Sequence, residues 1–204
     1  MHEQHSSQAW EYERIFHRED PVWQQEKKRM EEGMMEALCC KDVLEINCGT
    51  GYWTERASFA AKRIIGTDRS VRSLEIARAK QLSPDKVRFE LADAYNLASL
   101  PGWYNAGLAN FWLTRVPPDK IRLFLDQFHL RLGPGATVFM ADHIASSKCP
   151  PLEELQQTFG ADSLHGCKSK YELEDRLLDY FEPYAREIKI HAGDSCWWLS
   201  YKAV

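Results

Sequence analysis

The run Val43-Leu44-Glu45-Ile46-Asn47-Cys48-Gly49-Thr50-Gly51-Tyr52-Trp53-Thr54 has the residue types and spacing to hold an electronegative small molecule. An apolar strand enters a tight glycine turn, and the turn opens a helix. Gly49 and Gly51 lack a β-carbon, so the backbone there can bend sharply and a ligand can come close. Asn47 tolerates left-handed angles better than most residues. The first amides of the helix have no partner within it and face whatever lies at its start. A turn of this kind can also stand without a ligand. Asp68 closes the next apolar run. In nucleotide-binding α/β sheets an acid at that place accepts hydrogen bonds from ribose hydroxyls, and a carboxylate can hold two such donors. On its own, Asp68 would equally suit a helix-capping or surface role. Ala92-Asp93-Ala94 is a third signal: an acid there can accept from an exocyclic adenine amine while a main-chain amide reads a ring nitrogen. Alone it is just as well a capped loop.

The elements that must position these residues alternate. Residues 8–19 read as a short helix and residues 22–39 as a second, with Pro21 where a first helical position tolerates it. Strands are expected at 42–46, 63–67, 86–91, 104–111 and 136–141. Helices are expected at 52–61, at 71–81 with Ser70 as N-cap, and from Pro117 through Arg131. That last helix carries Ile121, Leu125, Phe128 and Leu132 on one stripe, and Gly133-Pro134-Gly135 ends it. Strands alternating with helices at this spacing predict a parallel sheet covered on both faces. Residues 150–181 read as helical and partly irregular. Residues 184–190 and 196–201 are two strands joined by His191-Ala192-Gly193-Asp194, a hairpin signal that makes the last strand antiparallel. Trp197 and Trp198 must then face opposite sides of the sheet. His129, near the end of its helix, is expected to face solvent.

The bulk composition narrows the classes. The chain has 204 residues, 44% of them apolar, which suits one domain with a real core. The net charge of −4 and the absence of a basic stripe argue against a nucleic-acid partner. No apolar run reaches the roughly 18 residues of a membrane helix, and the start, MHEQHSSQAWEYE, lacks a basic-then-apolar signal pattern. The expected location is therefore cytoplasmic, with no membrane partner. The six cysteines form no CxxC pair and read as free thiols. A zinc site built from His165, Cys167 and another thiol matches no common spacing, so no metal is expected.

Taken together, the E-I-N-C-G-T-G turn, the I-I-G-T-D acid, the L-A-D-A segment and the D-Q-F-H-L-R-L-G-P-G-A-T-V-F-M stretch resemble a class I S-adenosylmethionine-dependent methyltransferase. The resemblance covers roughly residues 8–143 and is particularly close to bacterial small-molecule O-methyltransferases, through G-T-G-Y-W-T and Trp112-Leu113-Thr114-Arg115-Val116-Pro117. It implies a Rossmann-like seven-stranded sheet of order 3-2-1-4-5-7-6 with strand 7 antiparallel and helices on both faces. N-terminal helices, residues 1–40, would form a lid over the cofactor cleft of a domain spanning 41–204. It implies S-adenosylmethionine as cofactor and S-adenosylhomocysteine as product. Glu45, Asn47, Gly49 and Gly51 would contact the methionine moiety. Asp68 would hold the ribose, Arg69 would lie beside the adenine, and Asp93 and Ala94 would read it. Asn110 would face the amino-acid end through its backbone carbonyl. Trp23, Trp53 and Thr54 join this cofactor-binding set. Tyr12, in an A-x-E-Y-x-x-I-F pattern from Ala9 to Phe16, would border the methyl group.

The chain departs from the pattern twice. Asn47 stands in place of the usual first glycine. Arg115 stands where related enzymes often carry histidine. An arginine stays protonated and cannot act as a base, but its planar fork could grip a carboxylate or phosphonate on the acceptor. A carboxylate acceptor needs no base, whereas a phenol or amine does. The candidate base is His143, after Asp142 at the end of the fifth strand; a capping or surface role is the alternative. Trp23, Phe111 and Trp112 could line an apolar acceptor pocket or simply pack in the core, and residues 165–170 could form a lid or a plain surface loop. The expected activity is methyl transfer to a small molecule, favouring oxygen on an acidic metabolite, by a monomer or homodimer. The rival readings are a small-molecule N-methyltransferase and a non-catalytic cofactor-binding protein of the same fold. A nicotinamide oxidoreductase is disfavoured because the turn lacks G-x-G-x-x-G spacing.

Overall fold

The computed structural model describes residues 13, 14, 16–144, 164, 167 and 169–204. Tyr12, His165, half of the segment 8–19 read as a first helix and most of residues 150–169 of the segment 150–181 lie outside them. Helix α1 (Pro21–Leu38) comes first. Asp20 caps it by accepting from the Val22 and Trp23 amides, and Pro21 occupies a position where a missing amide costs nothing. Then follow β1 (Asp42–Ile46), α2 (Tyr52–Ala57), β2 (Arg63–Asp68), α3 (Val71–Ala79), β3 (Val87–Leu91), β4 (Tyr104–Asn110), α4 (Ile121–His129), β5 (Leu132–His143), α5 (Lys170–Phe181), β6 (Ala185–Ala192) and β7 (Cys196–Ala203).

One seven-stranded sheet runs in the order β3-β2-β1-β4-β5-β7-β6. The first five strands pair in parallel, and β7 is antiparallel to both β5 and β6. The expected order and the reversed last strand are therefore both present. Alternate residues of the central strands bury on opposite faces, as parallel strands covered on both sides require. Val43, Ile64, Ala106 and Leu108 pack with Met30, Met34, Trp53 and Ala57 of α1 and α2. Leu44, Ile46, Ala109 and Val138 pack with Phe124, Phe128, Leu177 and Phe181 of α4 and α5. Trp197 lies in the second of these cores and Trp198 packs against the first, as strand alternation demands.

Two local expectations are corrected. The helix read through Arg131 stops at His129, and Leu132 with Gly133-Pro134-Gly135 begins β5. Tyr104 pairs with Leu132, and the register then shifts, so that Ala106 pairs with Thr137; the extra residues form an irregularity inside a strand pair instead of a break between elements. His129 is half-buried, not solvent-facing. Its Nδ1 lies 2.8 Å from the Leu125 carbonyl and its Nε2 lies 2.9 Å from the Tyr201 hydroxyl, and burial lowers its pKa.

β1 and β4 are neighbours whose chain continuations leave in opposite directions along the sheet. A crevice opens at the carboxyl ends of such strands, and the glycine turn after β1 and the segment after β4 both lie there.

Candidate active site

The turn after β1 is built from positive φ angles: +54° at Asn47, +56° at Gly49 and +78° at Gly51. The two glycines serve different purposes. A β-carbon on Gly51 would meet Ala77 at 3.2 Å and Phe89 at 3.3 Å, so this glycine lets α3 and β3 close against the turn. A β-carbon on Gly49 would meet nothing within 4 Å, because Gly49 borders an open cleft of about 1400 Å³.

Asp68, at the end of β2, is buried beside this turn. Its Oδ2 accepts the Gly49 amide at 2.9 Å and its Oδ1 accepts the Ser70 amide at 2.8 Å. Each oxygen keeps a further lone pair, and the side chain lines the cleft. Glu45 lies deeper, below the cleft lining. The Thr54 hydroxyl donates to its Oε2 at 2.6 Å. Burial, opposed by that hydrogen bond and reinforced by the nearby Asp68 charge, pushes its carboxyl up to about 8. Glu45 and Thr54 thus support the turn from behind.

One wall of the cleft is aromatic. Phe16 stacks on Tyr52 at 4.6 Å and meets Trp53 edge-on at 5.1 Å, and Trp53 stacks on Phe111 at 5.4 Å. The Tyr52 hydroxyl, the Trp53 Nε1 and the Asn110 Oδ1 are buried and have no hydrogen-bond partner among the described residues, and all three residues line the cleft. Leaving a buried polar group unpaired costs about 1–3 kcal/mol. These two donors and one acceptor belong to residues that line the cleft, which makes them candidate partners for a polar ligand there. The Glu13 carboxylate reaches the Thr50 hydroxyl of the turn and Lys80 at 3.1 Å, which brings the N-terminal segment to the edge of the same cleft.

The lining also carries positive charge. Arg69, Arg72, Arg115 and Lys120 line the cleft, against two acids, Asp68 and Glu75. Glu75 is paired with Arg72 at 3.0 Å. Arg115 ends a 3-10 turn, Leu113–Arg115, whose Thr114 amide donates to Asp142 Oδ2 at 2.9 Å. Asp142, at the end of β5, thereby braces the turn that presents the arginine. Lys120 sits over the Tyr95 ring at 5.5 Å.

The structure does not bring every expected residue to this cleft. Asn47, Gly49, Trp53, Asp68, Arg69, Asn110 and Arg115 line it, as does Trp112. Asp93 and Ala94 do not. Asp93 Oδ1 accepts the Tyr95 amide at 2.9 Å, so its carboxylate shapes the turn that places Tyr95 in the lining, while Ala94 packs on the core below. Trp23 is fully buried behind Phe16 and Phe111, and its Nε1 donates to the Phe16 carbonyl. Phe111 is likewise core. His143 is buried with its ring 4.5 Å from Phe111 and 5.9 Å from Trp23, and it is not among the lining residues. Tyr12 lies outside the described residues. Sequence reasoning missed Tyr52, Tyr95, Arg72 and Lys120. Tyr52 stood in the turn motif itself, whereas Lys120 had no signal beyond its place after two prolines. Among the described residues no group of three or more His, Cys, Asp or Glu could hold a metal ion, and no helix is long and apolar enough to cross a membrane.

A sheet of five parallel strands with a reversed seventh strand, a glycine turn after β1 and an acid after β2 make up the fold of class I S-adenosylmethionine-dependent methyltransferases. Residues 43–135 match the family model described as a methyltransferase domain. No curated protein matches the sequence. Solved structures share the fold. The DhpI complex with S-adenosylhomocysteine superposes with a TM-score of 0.70 at 21% identity, over 97% of this chain and 92% of that one. A DhpI-SAM-HEP complex gives 0.68 at 23% identity, over 96% and 92%. The N-methyltransferase NodS from Bradyrhizobium japonicum WM9, also with S-adenosylhomocysteine, gives 0.65 at 14% identity, over 91% and 89%.

Proposed function

We propose that the protein methylates an ionised oxygen of a small acid, a carboxylate or a phosphonate. The observation that carries this reading is the pairing of a cationic cleft with the lack of a usable base among its described lining residues. Burial pushes the Tyr52 phenol up to about 12 and raises Tyr95 and Cys48, so all three stay protonated near neutral pH. Asp68 is held by two amides and Glu75 by Arg72. His143 is not among the lining residues. A phenol or amine acceptor would need a proton removed; an anionic oxygen brings its own lone pair.

When bound, S-adenosylmethionine supplies a methyl group already activated by its sulfonium. The Tyr52 hydroxyl and Trp53 Nε1 would donate to its carboxylate, and Asn110 Oδ1 would accept from its amine. Asp68 would take the ribose hydroxyls on its remaining lone pairs, and Arg69 and Tyr95 would border the base. Arg115 and Lys120 would hold the acceptor anion and set it in line, where positioning alone contributes much of the acceleration. Methylation removes one negative charge from the acceptor, turning a carboxylate into a neutral ester or a phosphonate dianion into a monoanionic monoester, so the cations hold the product less tightly and no proton has to move. Incubating the protein with labelled methyl donor and a panel of small carboxylic and phosphonic acids tests this. Label on an acid oxygen is the expected result, base-labile if the acceptor is a carboxylate and base-stable if it is a phosphonate; label appearing on amines or phenols alone overturns it.

A further inference from the structure

Away from the cleft, one buried charge has no part in the chemistry above. Glu26, on the inner face of α1, is 8% exposed and pairs with no cation among the described residues. Its Oε1 accepts the Asp194 amide at 2.6 Å, and its Oε2 accepts the Ser195 amide at 2.8 Å and the Cys196 amide at 3.2 Å. Three consecutive main-chain amides at the β6–β7 turn thus enclose one carboxylate, the kind of concave nest that binds anions. The fit is tight: a β-carbon on Gly193 would lie 2.5 Å from the Glu26 carboxylate.

The same stretch of α1 holds the N-terminal segment. Trp23 Nε1 and Lys27 Nζ both donate to the Phe16 carbonyl, at 3.3 Å and 3.1 Å, and Gln24 Nε2 donates to the Arg18 carbonyl at 2.6 Å. Trp23, Gln24 and Lys27 fall within one turn of Glu26, so fixing Glu26 fixes all three. Phe16 in turn forms the aromatic wall with Tyr52 and Trp53.

We propose that Glu26 is a positioning residue for cofactor binding: clamped by the β6–β7 turn, it sets the pose of α1 and so places Phe16 against the cleft. The charge suits the task, because hydrogen bonds to an ionised acceptor are shorter and stronger than neutral ones, and a glutamine would present its carboxamide NH2, a donor, to at least one of the three main-chain N–H donors.

Glu26→Gln and Gly193→Ala test this from opposite sides of the contact, with S-adenosylhomocysteine binding by calorimetry and backbone hydrogen exchange as readouts; neither needs an acceptor. Both variants are expected to weaken binding at least fivefold and to speed exchange at residues 16–20 while the central strands stay protected. Glu26→Asp, which keeps the charge on a shorter stem, is expected to recover part of the affinity and serves if Glu26→Gln does not fold. Unchanged affinity in both variants overturns the proposal. So does an exchange increase spread evenly over the sheet, which would make Glu26 a stabilising contact only.

Discussion

The Asp68 carboxylate accepts the Gly49 amide at 2.9 Å, so the acid that ends β2 fixes the backbone of the turn that ends β1. The contact joins two neighbouring parallel strands at the edge of the cleft, nineteen residues apart in sequence. The residue proposed to hold the ribose is therefore also a brace for the residues proposed to hold the methionine end.

Replacing Asp68 by alanine removes both functions. Hydrogen bonds to a charged group are worth about 1.5–3 kcal/mol, so Asp68→Ala should weaken S-adenosylhomocysteine binding about tenfold to a hundredfold by calorimetry. Asp68→Asn keeps one acceptor oxygen for Gly49 or Ser70 and should fall between the two. Wild-type affinity in Asp68→Ala would remove the ribose assignment.

The two glycines of the turn should fail in different ways. Gly51→Ala meets Ala77 and Phe89 at a φ of +78°. It should cost about 1–3 kcal/mol of stability, read as roughly 2–4 °C of melting temperature per kcal/mol for a chain of this size. Gly49→Ala meets nothing and bears only backbone strain, about 1–2 kcal/mol. Its methyl group enters the cleft, so its loss of cofactor affinity should exceed that of a stability-matched core variant. Equal loss of affinity in both glycine variants at equal stability would erase the distinction.

These contrasts follow from features legible in the sequence. The individual strands, the turn and Asp68 are local signals: an apolar run, two glycines and an acid at a strand end; the order of the strands across the sheet followed only from the family resemblance. The start of β5 was not legible, because Gly133-Pro134-Gly135 looks like a break and only pairing with Tyr104 draws Leu132 into the strand. Trp23 and His143 could not be placed either. Each is an aromatic ring at the end of an element, and whether it lines the cleft or packs against Phe111 outside the lining depends on packing among α1, β4 and β5. Glu26 was beyond reach altogether, since its partners lie 168 to 170 residues away and are main-chain amides of no particular residue type.

Arg115→Ala separates the acceptor from the cofactor. If the arginine grips an anion with its planar fork, its loss should raise the acceptor KM about tenfold or more and leave the affinity for S-adenosylhomocysteine unchanged. Arg115→Lys should recover part of the loss, because a point charge replaces a bidentate one. Lys120→Ala should move in the same direction by less, its ammonium being set over Tyr95. A matched drop in S-adenosylhomocysteine affinity would place Arg115 on the cofactor instead.

Glu45 gives the fold a pH dependence of defined sign. Burial raises its carboxyl from the usual 4.5 to about 8 in the folded chain. Between those values the folded state binds the proton more tightly than the unfolded state, so stability falls as pH rises. The contribution is fully present below 4.5 and is lost as pH passes through about 8. His129, whose pKa is lowered by burial, has the opposite slope, mainly below its unfolded value of 6.5; between pH 7 and 9 the thiols of Cys48, Cys167 and Cys196, raised by burial, add a decline of the same sign as the glutamate's, so the glutamate's share is read as the difference between the wild type and a neutral variant. Over that range Glu45 should account for about 1 kcal/mol of lost stability, one pKa unit being worth about 1.4 kcal/mol. Glu45→Gln stays neutral at every pH and keeps an acceptor for the Thr54 hydroxyl. Its urea midpoint should therefore decline less from pH 7 to pH 9 than that of the wild type, and parallel declines in the two proteins would show that Glu45 is ionised in the folded state at pH 7.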